Sequence, residues 1–376
     1  MRLAHAHRGV VAITGASAGI GKATALRFAR GGYRVGLIAR DRAALEAVEA
    51  EVRSRGGTAF CAPADVADAH ALFRAAEAIE RALGPIEVWV NDAMTTVFAP
   101  VSDITPEEFR RVTEVCYLGF VHGTMAALRH MRPRNRGTIV QVGSALAYRG
   151  IPLQAAYCGA KHAIRGFTDS LRTELIHENS AIRLTIVELP AINTPQFDWA
   201  RTHLAREPRP VPPVFQPERA AKAVFRAARG TWREYWLGSS TIEAILGNTL
   251  LPGWLDHYVA SNAYEAQATC EPVRPGRKDN LDEPVRGLHR TRGSFGAEAR
   301  SITVDLPGPL MRVGAVALAC AFAAALGLVA GRLRSAPAIG RRDGRNRRRR
   351  IAGRRSAATP EPATRPASRA LREASR

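Results

Sequence analysis

Short apolar runs alternate with stretches of helical periodicity through the first two thirds of the chain. Residues 8–40 read as strand, turn, helix, strand: "GVVAIT" is apolar, "GASAGIG" is a turn, "KATALRFARGG" is a helix ending in glycines, and "YRVGLIAR" is apolar again. Further apolar runs follow at 58–66 ("TAFCAPADV"), 86–92 ("IEVWVND"), 137–144 ("GTIVQVGS") and 182–190 ("IRLTIVELP"). Helical stretches separate them at about 41–55, 68–83, 106–131 and 154–178. Apolar strand runs alternating with helices predict a parallel sheet covered on both faces. The fold class is therefore α/β, a doubly wound parallel sheet over residues 1–240.

The pattern changes after the sixth strand run. Residues 195–217 ("PQFDWARTHLAREPRPVPPVFQP") read as a long loop with one short helix, of a length that suits a lid. Residues 241–269 read as a helical, aromatic extension with Trp254, Tyr258 and Tyr264. Residues 270–312 turn polar and read as a poorly ordered linker. Residues 313–331 are nineteen uncharged positions between Arg312 and Arg332, long enough to span a bilayer. Eight of them are Ala and three are Gly. Only seven are strong partitioners, each worth roughly −0.3 to −0.6 kcal/mol at the centre of a helix. A span would also export the basic tail, against the positive-inside tendency. A true span, a helix lying on an anionic lipid surface and a soluble helix all stay open.

Charge adds little to this picture. The net charge is +20, but residues 332–376 hold fifteen arginines and three acids, 15 − 3 = +12. The remainder carries 20 − 12 = +8. The tail reads as disordered and cationic. It lacks interleaved aromatics and any DNA-reading motif, so no specific nucleic-acid partner is expected. The five cysteines are scattered without metal-ligand or redox spacing, which suggests a reducing compartment and no metal site. The N-terminus lacks the apolar stretch of a secretory signal, so the expectation is a cytoplasmic α/β domain with membrane contact possible through 313–331 and the tail.

The chemistry concentrates in two places. In "TGASAGIG" (Thr14–Gly21), Gly15, Gly19 and Gly21 fall between the first strand and the first helix. Absent side chains let the backbone turn tightly and approach a pyrophosphate at the helix N-terminus. The second strand ends in Arg40, where an arginine suits a 2′-phosphate and an acid would suit a ribose hydroxyl. This favours NADP(H) over NAD(H). Asp41 reads as the cap of the next helix. The second place is "AAYCGAKHAIRGF", residues 155–167. Tyr157 and Lys161 share one helix face, and Lys161 is one of only four lysines against fifty arginines. A cation beside a tyrosine favours the phenolate and lowers its pKa from near ~10.

The glycine loop, a Ser thirteen residues before a YxxxK pair, and a Pro-containing segment after the sixth strand together resemble the short-chain dehydrogenase/reductase family over about residues 8–240. The resemblance implies a Rossmann-type fold and NAD(P)-linked interconversion of an alcohol and a carbonyl. By motif, Ser144, Tyr157 and Lys161 would be catalytic, with Tyr157 and Lys161 also touching the cofactor. Thr14, Gly15, Ser17, Gly19, Ile20 and Gly21 would hold the cofactor's phosphates. Asp65 and Val66 would lie near the adenine, Asn91 and Ala93 would line the cofactor, and Pro190, Ile192 and Thr194 of "PAINT" would meet the nicotinamide end. Two departures stand out. The family's "NNAG" is "NDAM" here, with Asp92 and Met94, and its relay asparagine is replaced by Cys116 in "CYLG". Cysteine is a weak hydrogen-bonding substitute.

Nothing names the substrate. Phe197, Trp199, Phe215, Trp232, Tyr235, Trp236, Trp254 and Tyr258 could line an apolar pocket for a hydrophobic carbonyl or alcohol, or pack a C-terminal core. A cofactor-binding scaffold or redox sensor with little turnover is the second reading. The resemblance also suggests a homo-oligomer.

Overall fold

The computed structural model describes residues 8–335, and leaves the side chains of several residues in the last helix undescribed. The chain divides into two compact units, Met1–Ala317 and Leu318–Arg376. The tail from residue 336 onward lies outside the described residues.

Eight strands form the central sheet of the first unit: β1 (Val10–Thr14), β2 (Arg34–Ile38), β3 (Ala59–Cys61), β4 (Ile86–Asn91), β5 (Thr138–Val142), β6 (Arg183–Glu188), β7 (Glu234–Leu237) and β8 (Asp305–Pro307). Their order is β8-β7-β6-β5-β4-β1-β2-β3. All neighbours run parallel except β8, which pairs antiparallel with β7. The chain steps outward from β1 in both directions, so the carboxyl ends of β1 and β4 part at the centre and leave a crevice there.

The apolar runs become strands because alternate residues are buried on opposite faces. Val10 and Ala12 pack into one core, with α3 (Ala69–Leu83), α5 (Gly119–Met131) and α6 (Ala155–His177). Val11 and Ile13 pack into the other, with α1 (Gly19–Arg30), α2 (Arg42–Ser54) and α8 (Pro217–Ala227). Each fully buried Leu, Ile or Phe contributes about 1.5–3 kcal/mol. Helix starts follow the side chains that can cap them. Asp41 accepts from the Ala44 N–H at 3.1 Å, the cap role expected of it. A capping box of Thr105 and Glu108 opens α4 (Pro106–Thr113). Between α4 and α5 the turn Glu114–Leu118 widens to a π-helix that carries Cys116.

The segment expected to be a loose linker is built into the fold. Ala268–Pro272 pairs with Arg206–Pro208, and β8 extends the sheet. Within this polar stretch Leu281 and Val285 are buried, and backbone groups of the segment find partners at Trp199 and Val214. The aromatics divide. Phe215, Tyr235 and Trp236 are core residues, while Trp232, Trp254 and Tyr258 are exposed, the last two stacked at 5.3 Å. Short helices α7 (Gln196–Trp199), α9 (Ser239–Leu250) and α10 (Pro252–Asn262) precede α11 (Gly308–Ser335). The uncharged stretch 313–331 falls in α11, and some of its side chains are among those not described. Among the described residues no helix is long and apolar enough to cross a membrane, so the expected span finds no support there.

Candidate active site

The crevice at the carboxyl ends of the strands is a cavity of about 390 Å³. Its floor is the turn between β1 and α1. Gly15 has φ +73°, and a Cβ there would sit 2.9 Å from the Ala93 Cα. A Cβ on Gly21 would come 2.1 Å from the Gly15 carbonyl oxygen. The turn is thus closed tightly against the loop after β4, a shape open only to glycine. Thr14 is buried and lies beneath this floor. Its hydroxyl accepts from the Asp92 and Ala93 N–H groups at 3.0 and 3.2 Å. Asn91 is also beneath it, where its amide bonds Trp89, Phe120, Thr124 and Gln141.

Of the positions singled out from the sequence, Thr14, Gly21 and Asn91 therefore do not line the cavity; they brace its floor. Gly15, Ser17, Gly19, Ile20 and Ala93 line it at the turn. Arg40, Asp65 and Val66 line one end, and Ser144, Tyr157 and Lys161 the other. Pro190, Ile192 and Thr194 close the side between them. Part of the wall is apolar, with Phe98, Ile151, Leu189, Phe197 and Pro210, and the Trp199 ring stands 5.4 Å from that of His289. Phe197 and Trp199 come from the predicted lid, and Trp199 is buried.

Strand β5 ends at Val142, which puts Ser144 at the rim, where its Oγ accepts from the Leu146 N–H at 3.1 Å. Helix α6 starts at Ala155 and brings Tyr157 and Lys161 to the same rim, one turn apart. Lys161 Nζ donates to the Val142 carbonyl at 2.8 Å and lies 4.6 Å from the Phe120 ring centroid. Burial pulls the ammonium below its ordinary pKa, while Cys116, Asp92 and Glu188 oppose that shift. Burial holds the Tyr157 phenol well above its ordinary value, the neighbouring thiols of Cys116 and Cys158 add to this, and the Ser144 hydroxyl pulls it down. Lys161 is not among the groups that lower the phenol, against the sequence expectation. Lys161 Nζ sits 5.4 Å from the ring centroid, and desolvation dominates.

The two departures have definite places. Cys116 Sγ donates to the Thr95 carbonyl at 3.0 Å and accepts from its N–H at 3.3 Å, so the thiol is tied to the backbone. Met94 and Asp92 line the cavity, and burial pushes the Asp92 carboxyl up to about 8 against the pull of Lys161. Two features were not singled out from the sequence. Glu188 is fully buried with both carboxylate oxygens unpartnered, and burial followed by the nearby Glu234 pushes it up to about 8. The signal was an acid inside the apolar run "IRLTIVELP". The other is Asn280, Pro284, Val285 and His289, which line the Arg40 end of the cavity.

The family model for short chain dehydrogenases matches residues 9–204. The chain is 32% identical to the uncharacterized oxidoreductase YxnA of Bacillus subtilis, over 84% of this chain and 90% of that one. An alcohol dehydrogenase from the archaeon Thermococcus sibiricus, solved with 5-hydroxy-NADP, superposes with a TM-score of 0.50 at 27% identity, over 57% of this chain and 88% of that one. A variant of the actinorhodin polyketide ketoreductase, solved with NADPH, gives a TM-score of 0.53 at 25% identity, over 58% and 90%. A glycine-turn crevice leading to a Ser–Tyr–Lys rim, in a sheet of this order and with these likenesses, makes the chain a member of the short-chain dehydrogenase/reductase family of NAD(P)-dependent oxidoreductases.

Proposed function

We propose that the protein is an NADP(H)-dependent oxidoreductase that interconverts a hydrophobic ketone and its secondary alcohol. The observation that carries this reading is the single cavity joining the glycine turn to Ser144, Tyr157 and Lys161 and then to an apolar wall. The dinucleotide supplies the hydride. Ser144 hydrogen-bonds the substrate oxygen and orients it toward Tyr157. Tyr157, protonated at neutral pH as a phenol ordinarily is and more firmly so for its burial, gives its proton to the alkoxide that hydride arrival creates. Lys161 holds position against Val142 and presents its remaining donors to the cofactor side. Phe98 and Phe197, whose rings pack 6.0 Å apart, exclude water and favour an apolar substituent on the carbonyl. Arg40 supports the preference for NADP(H), as do the NADP and NADPH in the two structural relatives.

The test is turnover of NADPH with a panel of ketones by the full chain and by Tyr157→Phe. The phenol-free variant should lose at least ~10²-fold in kcat and keep its cofactor affinity. Tight cofactor binding without turnover on any ketone would favour a sensor, a second reading supported by the tethered Cys116 and by Asp92 beside the cofactor turn.

A further inference from the structure

Arg40, the residue expected to meet a 2′-phosphate, is already engaged. Its Nη1 donates to the carbonyls of Asp282 at 2.6 Å and Leu281 at 3.4 Å, and its Nη2 to that of Asn280 at 2.6 Å. The guanidinium thus holds three convergent backbone oxygens, a donor pattern that also fits the oxygens of a phosphate. A second contact lies at the glycine turn. The Gly19 N–H, at the start of α1 and facing the crevice, donates to the Arg290 carbonyl at 3.0 Å. An amide at that place is the ordinary partner of a pyrophosphate oxygen. Residues 280–290 therefore put carbonyl oxygens at two places where a phosphate-bearing dinucleotide would put its own.

The segment is firmly seated. Leu281 is 1% exposed and packs in the same core as Ala64 and Val66. Its carbonyl also accepts from Arg111 Nε at 3.2 Å, and Arg111 pairs with Asp65 at 2.5 Å. The Asn280 N–H donates to the lid's Trp199 carbonyl at 2.9 Å, and Arg201 of the same loop pairs with Asp279 at 3.1 Å and with Asp282 at 2.8 Å. Asp282 and Glu283 also bear electrostatically on Arg40 and would repel a phosphate brought there. Beneath the segment the cavity runs on from Tyr157 to Asp65.

We propose that residues 280–290 form an internal strap that competes with the cofactor's 2′-phosphate for Arg40, and so sets the choice between NADPH and NADH. The proposal rests on the reading of the cleft as a dinucleotide site. A dinucleotide without the 2′-phosphate slides beneath the strap and displaces only the Arg290 contact. One with it takes Arg40 from the carbonyls, and the 280–282 end lifts together with Leu281. The phosphate prevails because a charged acceptor bonds guanidinium more strongly than neutral carbonyls do. The binding-competent fraction scales the apparent affinity, so a strap closed in about nine molecules of ten weakens NADPH about tenfold.

The experiment titrates NADPH and NADH separately into the full chain and into Leu281→Ser, which removes the buried anchor without touching Arg40. Loss of the anchor should tighten NADPH about tenfold and change NADH by less than about twofold. Amide hydrogen exchange on the unmodified protein gives a second readout that does not depend on the variant folding. Saturating NADPH should speed exchange across 278–292, and NADH should not. Weaker NADPH binding by Leu281→Ser, or slower exchange across 278–292 with NADPH, would overturn the competitor and make the strap a clamp; an unchanged NADPH-to-NADH ratio would overturn any part for it in cofactor choice. Failure of both cofactors to bind either protein would overturn the dinucleotide reading itself, and the strap with it.

Discussion

Single residues at the rim trade stability for position. Glu188 is the clearest, a carboxyl without a hydrogen-bond partner in a strand buried on both faces. Its folded pKa of about 8 stands above the ordinary value of 4.5 for a glutamate, so the folded state holds a proton that the unfolded state releases. The carboxyl's contribution to stability is therefore fully present below about pH 4.5 and is lost as pH rises to about 8. Glu188→Gln should stabilise the fold by at least about 1 kcal/mol at pH 8, and the gain should shrink to nothing toward pH 4. Paired thermal melts at the two pH values check this; a gain of the same size at both would show that folding does not raise the Glu188 pKa. That Tyr157 and Lys161 share a helix face was legible from their spacing, and Ser144 joined them through the family motif. The phenol's titration was not, because desolvation depends on what covers the ring, and no spacing rule reports that.

At the scale of elements, the turn between β1 and α1 couples the fold to the site. Gly15 and Gly21 pack backbone against backbone, and Thr14 ties that turn to the loop after β4. A side chain at 21 meets backbone, which cannot yield cheaply. Gly21→Ala should destabilise the protein by about 2 kcal/mol or more and weaken NADPH binding together with it. Chemical denaturation of the variant measures the first effect. Wild-type stability would mean that the turn can open without cost. The strands and most helices were legible from apolar runs and periodicity, since a parallel sheet buries both faces and marks its strands strongly. Strand β8 was not legible. It is three residues long, lies at an edge, and forms only because β7 offers it a partner.

For the whole molecule, the main departure from the sequence expectation is the segment 270–312. Its composition is that of a linker, yet it supplies a sheet strand and the carbonyls that Arg40 bonds at the edge of the crevice. Composition measures how much apolar surface a segment can bury by itself; Leu281 and Val285 bury theirs against a surface made elsewhere. The same argument separates Phe215, Tyr235 and Trp236, which found the core, from Trp254 and Tyr258, which did not. The central claim is that one crevice carries a hydride donor to a carbonyl held by Ser144 and protonated by Tyr157. The most direct measurement uses NADPH carrying deuterium at the transferable position, an accepted ketone, and mass analysis of the product. The account predicts an alcohol with one deuterium on the carbinol carbon, formed by the unmodified protein and not by Tyr157→Phe. Cofactor oxidation that leaves no deuterium in the product, or equal labelling by Tyr157→Phe, would contradict it.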